Sequence, residues 1–258
     1  MKDSVTKTLF VSFVVCFICS LVVSYSAVSL RDAQENNKLN DKRSKILQAA
    51  GIFNSSTPVE EQFKQLEQKF IRFSDGILVD EVEGLDISSY DPVEFSKKSG
   101  LSKPVNPEED IAVIKSQEHY GKIYILKNQD QSINKVVLPV RGYGLWGTLY
   151  GFISLGPDLN TIQGLEFYEH KETPGLGGEV DNPNWKNIWK GKKIYDISSL
   201  VSIEVVKGKT SADDKNIAYK VDGLSGATLT SRGVTNMMHY WFGDNGYKSA
   251  LEKLSNGS

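Results

Sequence analysis

The first pattern along the chain is an apolar run at residues 9–28, LFVSFVVCFICSLVVSYSAV, which contains no charged residue. A helix rises about 1.5 Å per residue, so this run can cross a hydrocarbon core of about 30 Å. We therefore expect a transmembrane anchor. A cleaved signal peptide is the alternative, because Ser24 and Ser26 resemble a small-residue cleavage site. Lys2 and Lys7 precede the run, but further basic residues follow it, so flanking charge does not favour a cytoplasmic N-terminus.

A polar, helix-favouring segment with a thin apolar stripe follows over residues 31–50, and we expect it to form a stalk. Next, TPVE at residues 57–60 has capping-box spacing, with proline at the first helical position. Apolar residues then recur in steps of four and three as far as Phe73, which predicts an amphipathic helix over residues 57–73. The predicted organisation is a short N-terminal segment 1–8, an anchor 9–28, a helical stalk 29–56 and an exported domain 57–258.

Most of the remaining chain consists of short runs with strand-like patterns. A turn-rich stretch with three prolines occupies residues 88–109, and GPDLN at residues 156–160 reads as a hairpin turn. An apolar stripe predicts a final helix at residues 229–242. Helices, then an antiparallel sheet, then a helix indicate an α+β fold. The predicted strands are 76–83, 111–116, 120–127, 135–140, 147–155, 161–170, 202–206 and 218–221, with a short helix at 184–190.

Composition narrows the class of protein. Hydrophobic residues make up 40% and charged residues 24% of the 258 residues, which excludes a wholly disordered chain and a protein with many membrane spans. The net charge of −2 excludes a strongly basic nucleic-acid binder, so we expect no nucleic-acid partner. Both cysteines, Cys16 and Cys19, lie inside the apolar run, and the chain has only three histidines. We therefore expect neither a disulfide framework nor a metal site.

The first segment that could bind a ligand is EHKETPGLGG at residues 169–178, which follows a predicted strand. Its glycines allow the backbone to approach a flat ligand closely, because glycine adopts conformations that other residues avoid. A plain sharp loop is the alternative interpretation. His170 and Glu172 have no cysteine or further histidine nearby, which argues against a zinc site.

The second such segment is DGLSGATLTS at residues 222–231, between a predicted strand and the last helix. A glycine loop that leads into a helix collects anions, because free backbone N–H groups and the positive end of the helix dipole point there. Ser225, Thr228 and Thr230 add hydroxyl groups. The segment is not a Walker loop, because no lysine follows its glycine. Ordinary N-capping of the helix by serine or threonine is the alternative.

The motif Asp222-Gly-Leu-Ser-Gly-Ala-Thr228 resembles the flavinylation motif of the FMN-binding domain family. In that family the last threonine carries FMN through a phosphoester, and a separate Mg²⁺-dependent flavin transferase moves FMN to it from FAD. Together with the single apolar span, GLWGTLYG at residues 144–151 and HKETPGLG at residues 170–177, the whole chain is similar to the family of C subunits of the bacterial Na⁺-translocating NADH:quinone reductases. The glycine motif alone leaves open the related G subunits of the Rnf complexes.

The resemblance implies a site for covalent FMN at Thr228. A helix start suits a phosphodiester that keeps one negative charge. Asp222 stands beside that charge, and we expect it to act in transferase recognition, in Mg²⁺ binding during attachment or in loop geometry. The implied site is Thr228 for attachment, Ser225, Gly226 and Ala227 near the phosphate, Thr173, Leu176, Gly177, Leu145 and Trp146 near the flavin ring, Glu172 and His170 in the loop or at the ring edge, and Lys207 as a balancing charge.

The implied function is electron relay within a complex that couples NADH oxidation and ubiquinone reduction to Na⁺ export. No G-x-G-x-x-G fingerprint follows a strand, so we do not expect this chain to hold the NADH site. The implied location is the bacterial inner membrane, with a cytoplasmic N-terminus and a periplasmic domain. Its partners would be the other subunits, the flavin transferase with FAD and Mg²⁺, and membrane lipid. The alternatives are an Rnf-type subunit, linked to ferredoxin, and a membrane-anchored binding or structural protein without a redox group.

Overall fold

The computed structural model describes residues 4–256. Lys2, one of the two lysines before the apolar run, lies outside these residues. Contacts divide the chain into two compact units, residues 1–42 and residues 43–258. Residues 43–56, which we assigned to the stalk, belong to the larger unit.

The first unit contains helix α1, Val5–Ser29, which includes the whole predicted anchor. None of its side chains is buried against other parts of the protein. Among residues 4–256, α1 is the one helix long and apolar enough to cross a membrane, a property that it shares with signal sequences near an N-terminus. Helix α2, Arg31–Ala50, follows directly and confirms the predicted helix over residues 31–50.

An antiparallel sheet of six strands forms the centre of the second unit, which confirms the predicted α+β class with a mainly antiparallel sheet. The strands of the unit are β1 Leu66–Arg72, β2 Ile77–Val79, β3 Ser102–Pro104, β4 Ser116–Glu118, β5 Tyr120–Lys127, β6 Ile133–Tyr143, β7 Thr148–Leu155, β8 Ile162–Glu169, β9 Glu204–Val205 and β10 Lys220–Val221. The large sheet has the order β2–β1–β5–β6–β7–β8, and β3–β4 and β9–β10 form two small sheets.

The remaining elements of the unit are short helices and one long one. The helices are α3 Val59–Phe63, α4 Pro92–Phe95, α5 Pro183–Ile188, α6 Thr228–Phe242 and α7 Lys248–Ser255, with 3₁₀ turns at Gly177–Asp181 and Ile217–Tyr219. Helix α6 packs on β6 and confirms the predicted final helix. The hairpin turn between β7 and β8 is also where the sequence predicted it.

Each face of the large sheet is covered by apolar side chains. On one face, the last turns of α2 bury Ile46 and Leu47 against strand residues such as Phe152. On the other face, α6 buries Met237 and Trp241 in the larger cluster of the core. Both faces of the central strands are therefore buried, and α6 is held by tertiary packing rather than by helix propensity alone.

The predicted helix over residues 57–73 is wrong beyond its first turns. Helix α3 ends at Phe63, and residues 66–72 form β1, which pairs with both β2 and β5. Leu66 and Ile71 belong to clusters on opposite faces of the sheet. A strand that buries residues on both faces loses the period-two pattern, and its apolar residues can then imitate helical spacing.

One predicted strand needs correction, and one helix was missed. The predicted strand at residues 111–116 is instead a loop that leads into β4, because the Asp110 carboxylate accepts hydrogen bonds from the amides of Ile114 and Lys115. Such side-chain bonds compete with strand pairing. Helix α7 was not predicted at all.

Candidate functional site

The two glycine-rich segments lie in contact with each other. A Cβ atom added to Gly226 would lie 2.9 Å from the Leu176 side chain, so these residues pack closely. The Thr230 hydroxyl donates a 2.6 Å hydrogen bond to Oε2 of Glu172. The fold therefore combines the segments at residues 169–178 and 222–231 into one site.

The tip of the β6–β7 hairpin joins the same site. Oε1 of Glu172 accepts hydrogen bonds from the amides of Leu145 (3.0 Å) and Trp146 (2.9 Å). The side chains of Leu145, Trp146 and Leu176 remain 39%, 63% and 45% exposed. Large apolar side chains left exposed together are typical of a surface that a ligand or partner covers.

The start of α6 has open hydrogen-bonding groups. Its N-cap is Ala227, which has no side chain that could cap the helix. Among the described residues, the amides of Thr228, Leu229 and Thr230 donate to no partner. The loop before the helix is held from inside instead, because the Ser231 hydroxyl accepts a hydrogen bond from the Leu224 amide. The helix start thus offers the free N–H groups that an anion needs.

Thr228 and Ser225 are exposed, and neither hydroxyl has a hydrogen-bond partner in residues 4–256. The capping alternative requires one of these hydroxyls to accept a backbone amide of the first turn. Neither does so. The Thr228 hydroxyl, at the first position of the helix, is therefore accessible and has no partner among the described residues.

A cavity of about 250 Å³ opens beside Thr228, with Gly223 and Leu224 in its wall. Lys207 and Arg232 also line it and form no ion pair with any described residue, whereas Glu204 on the same wall faces Lys220. Sequence reasoning included Lys207 but missed Arg232. Its spacing could have revealed it: Arg232 lies four residues after Thr228 on α6, and residues four apart on a helix share a face.

Asp222 is a structural member of this loop. Its Oδ1 accepts hydrogen bonds from the amide and the hydroxyl of Thr210, and its carbonyl accepts one from the Trp185 indole. Burial acts to raise the pKa of Asp222, but the two bonds from Thr210 together with the positive charges of Lys209 and Lys192 outweigh it, so the pKa lies below its usual value. Of the roles that we expected for Asp222, these contacts support loop geometry.

The remaining predicted residues shape the first loop. His170 Nε2 contacts Asp181 at 2.8 Å, and His170 Nδ1 accepts the Glu172 amide. Both ring nitrogens are occupied within the loop. The Thr173 carbonyl accepts the amides of Leu176 and Gly178, while the Thr173 side chain is exposed. Within the part of the chain that the structure describes, no three His, Cys, Asp or Glu residues form a metal-binding cluster.

Comparison with known proteins gives a consistent result. The FMN-binding domain model matches residues 144–243, which include the hairpin tip, both glycine-rich segments and α6. The C subunit of the Na⁺-translocating NADH-quinone reductase of Pseudomonas aeruginosa is 42% identical over 99% of this chain and 98% of its own length. The corresponding protein of Vibrio anguillarum is 43% identical over 99% of this chain and 97% of its own length.

Solved structures of such proteins share the fold. The crystal structure of Shewanella oneidensis NqrC has a TM-score of 0.77 and 30% identity, covering 86% of this chain and all of that one. The structure of the C subunit from Parabacteroides distasonis has a TM-score of 0.65 and 32% identity, covering 86% and 96%. This chain belongs to the family of C subunits of the Na⁺-translocating NADH-quinone reductases.

Proposed function

We propose that this chain is the FMN-carrying electron-relay subunit of a Na⁺-translocating NADH:quinone reductase and that Thr228 holds the FMN covalently. Family membership and the FMN-binding domain support the relay function. The near-complete match to the C subunits does not favour either an Rnf-type subunit or a structural protein without a redox group.

One observation carries the assignment of Thr228: its hydroxyl is exposed and partnerless at the open start of α6. Thr230, two residues later, is buried and already donates to Glu172. Ser225 is exposed as well, but it precedes the helix. Of these hydroxyls, that of Thr228 combines access with the anion-binding position at a helix start.

The residues present fit FMN. The cavity beside Thr228 is about 250 Å³, below the roughly 300–1,000 Å³ of pockets that enclose a whole small ligand. It therefore suits the phosphate end, with Lys207 and Arg232 as its counter-charges. The exposed side chains of Leu145, Trp146 and Leu176 offer an apolar surface for a flat ring.

Covalent attachment of FMN to Thr228 requires a separate enzyme. Threonine is a poor nucleophile without an adjacent base or metal. We propose that a flavin transferase with Mg²⁺ activates the Thr228 hydroxyl toward FAD. Attachment would join the Thr228 oxygen to the FMN phosphorus, with AMP as the leaving group and loss of the hydroxyl proton.

Bound FMN supplies the ring that accepts and donates electrons. The chain's own residues hold that group in place. The bond at Thr228 prevents its loss, and the free amides at the start of α6 together with Lys207 and Arg232 balance the phosphodiester charge. The apolar hairpin tip at Leu145 and Trp146 would exclude water from a ring bound against it.

The location and the partners belong to the same proposal. We place α1 in the bacterial inner membrane, in contact with lipid, with the N-terminus in the cytoplasm and the second unit in the periplasm. The other reductase subunits are its partners, because the relatives carry the name of one subunit of that complex. The one candidate span among residues 4–256 is too little for an ion path alone, so we do not assign Na⁺ transport to this chain.

The test is to produce the chain with its flavin transferase and to view a denaturing gel under ultraviolet light. We expect flavin fluorescence in the wild type and in Ser225→Ala, and none in Thr228→Val, which keeps the side-chain shape but lacks the hydroxyl. A fluorescent Thr228→Val band would overturn the assignment. An unmodified wild type, with the transferase active on a control substrate, would overturn the covalent linkage.

A further inference from the structure

Glu172 is a buried carboxylate at the centre of the site, only 5% exposed. Among the described residues it forms no ion pair, although a buried charge without compensation is costly. Its compensation comes entirely from neutral donors: the Leu145 and Trp146 amides on Oε1 and the Thr230 hydroxyl on Oε2. Three charge-assisted hydrogen bonds therefore converge on this one side chain.

These three donors come from elements that are distant in sequence. Leu145 and Trp146 form the tip of the β6–β7 hairpin, and Thr230 lies in the first turn of α6. Glu172 itself lies in the loop after β8 and is separated from Thr230 by 58 residues. The carboxylate thus connects the hairpin tip, the loop and the helix start directly.

The glycines around the carboxylate leave room for it. A Cβ atom on Gly144 would lie 2.5 Å from Oε1 of Glu172, and one on Gly177 would lie 2.5 Å from Oε2. Neither glycine tolerates a side chain while the carboxylate stays in place. One glycine from each of the two motifs GLWGTLYG and HKETPGLG is therefore explained by the packing of Glu172.

We propose that Glu172 is a positioning residue that locks the Leu145–Trp146 tip and the Leu176 loop against the start of α6, so that the ring of a flavin attached at Thr228 meets a preformed apolar surface. The proposal rests on the function proposed above. It assigns Glu172 to the framework of the site: it acts on the flavin through Leu145, Trp146 and Leu176. Loss of its charge should loosen the surface around the ring and leave attachment intact.

The test compares Glu172→Gln with Glu169→Gln in the full chain in detergent. Glu169 is an exposed carboxylate three residues away, so it is a matched control. In Glu172→Gln, we expect unchanged covalent flavin on a denaturing gel and a lower fluorescence anisotropy of the flavin in the folded protein. Amide exchange at Leu145 and Trp146 should be about tenfold faster, because hydrogen bonds to a charged acceptor are stronger than those to a neutral one. Glu169→Gln should match the wild type in all three measurements.

A second comparison separates positioning from general destabilisation. Tyr195→Phe removes a hydrogen bond to the Phe242 carbonyl, at the other end of α6. It should lower stability and leave the anisotropy of the flavin unchanged. Thr230→Val removes one donor to Glu172 and should lower the anisotropy as Glu172→Gln does, and it replaces Glu172→Gln if that variant does not fold.

The outcomes distinguish this inference from the proposed function. If the wild type carries no covalent flavin, the proposed function fails. If the wild type is flavinylated and the variants at Glu172 and Thr230 keep wild-type anisotropy and amide exchange, Glu172 does not position the ring surface. The same conclusion follows if Tyr195→Phe lowers the anisotropy equally.

Discussion

The two glycine-rich loops of the site contrast in how they use their polar groups. In the loop at residues 170–177, the Glu172 carboxylate, the His170 ring and the Thr173 carbonyl all have partners within the protein. In the loop at residues 222–228, the Ser225 and Thr228 hydroxyls have none among the described residues. The first loop is a closed framework, and the second is open, with two exposed hydroxyls that have no partner among the described residues.

The contrast is sharpest between two threonines in the first turn of one helix. Thr230 is fully buried and bonded to Glu172, whereas Thr228 is exposed and free. The same helix turn therefore satisfies one threonine hydroxyl within the protein and leaves the other exposed.

The largest expected effect is on attachment. Thr228→Val should eliminate covalent flavin completely and change the free energy of unfolding by less than about 0.5 kcal/mol, because an exposed side chain without partners contributes little to stability. Intact mass measures attachment in proteins made with the transferase, and chemical unfolding of both proteins made without it measures stability. A loss of more than about 2 kcal/mol would mean that Thr228 also belongs to the framework.

A smaller effect is expected from crowding the closed loop. Gly177→Ala places a Cβ 2.5 Å from Oε2 of Glu172 and 2.6 Å from the Thr230 hydroxyl. We expect a loss of about 1–3 kcal/mol in chemical unfolding, as for other overpacked sites. Gly175→Ala is the control: its added Cβ contacts nothing within 4 Å, so only the strain of its φ of +76° remains. Equal amide exchange at the hairpin tip in both variants would contradict the role of the Glu172 contact.

The cations of the open loop should affect the rate of attachment moderately. Lys207→Gln and Arg232→Gln should each slow flavin incorporation about two- to fivefold at low salt, because the attraction between an exposed cation and a phosphate is worth at most about 1 kcal/mol. Lys215→Gln, an exposed lysine outside the cavity, should have no effect. Incorporation is followed by gel fluorescence over time. Effects that persist unchanged in high salt would not be electrostatic.

The smallest effect concerns Asp222 and pH. Its folded-state pKa is lowered, so its bonds to Thr210 stabilise the fold above the ordinary aspartate pKa, and this contribution disappears as the pH falls through the folded-state pKa. The wild type should exceed Asp222→Asn by at most about 1 kcal/mol at pH 7, with no difference at strongly acidic pH. Unfolding curves of the two proteins across this range measure it. A stability difference between the two proteins that grows as the pH falls would contradict this prediction.

Much of the large sheet could be predicted because β5, β7 and β8 each carry strand signals between clear turns, as at residues 156–160. Strand β1 could not, because it buries residues on both faces of the sheet and so loses the alternation that marks a strand. The loop at residues 111–115 is determined by the Asp110 side chain, which periodicity does not detect.

The candidate site was predicted through its motifs rather than through periodicity. Spacing alone left an anion site and ordinary helix capping both open at residues 222–231, and the family resemblance implied Thr228 as the attachment residue. What sequence could not supply was contact between distant segments. The bonds of Glu172 to Leu145, Trp146 and Thr230 form only when the sheet brings these segments together. The structure was also needed to show that Arg232 lines the cavity beside Thr228.

The most direct test of the central claim is fragment mass spectrometry of the tryptic peptide 221–232 from the flavinylated wild-type chain. This peptide contains Ser225, Thr228, Thr230 and Ser231, and thus every hydroxyl that could compete for the flavin at the helix start. We predict an FMN-sized increment on Thr228 alone. An increment on Ser225 or Thr230, or an unmodified peptide from a chain treated with active transferase, would contradict the account.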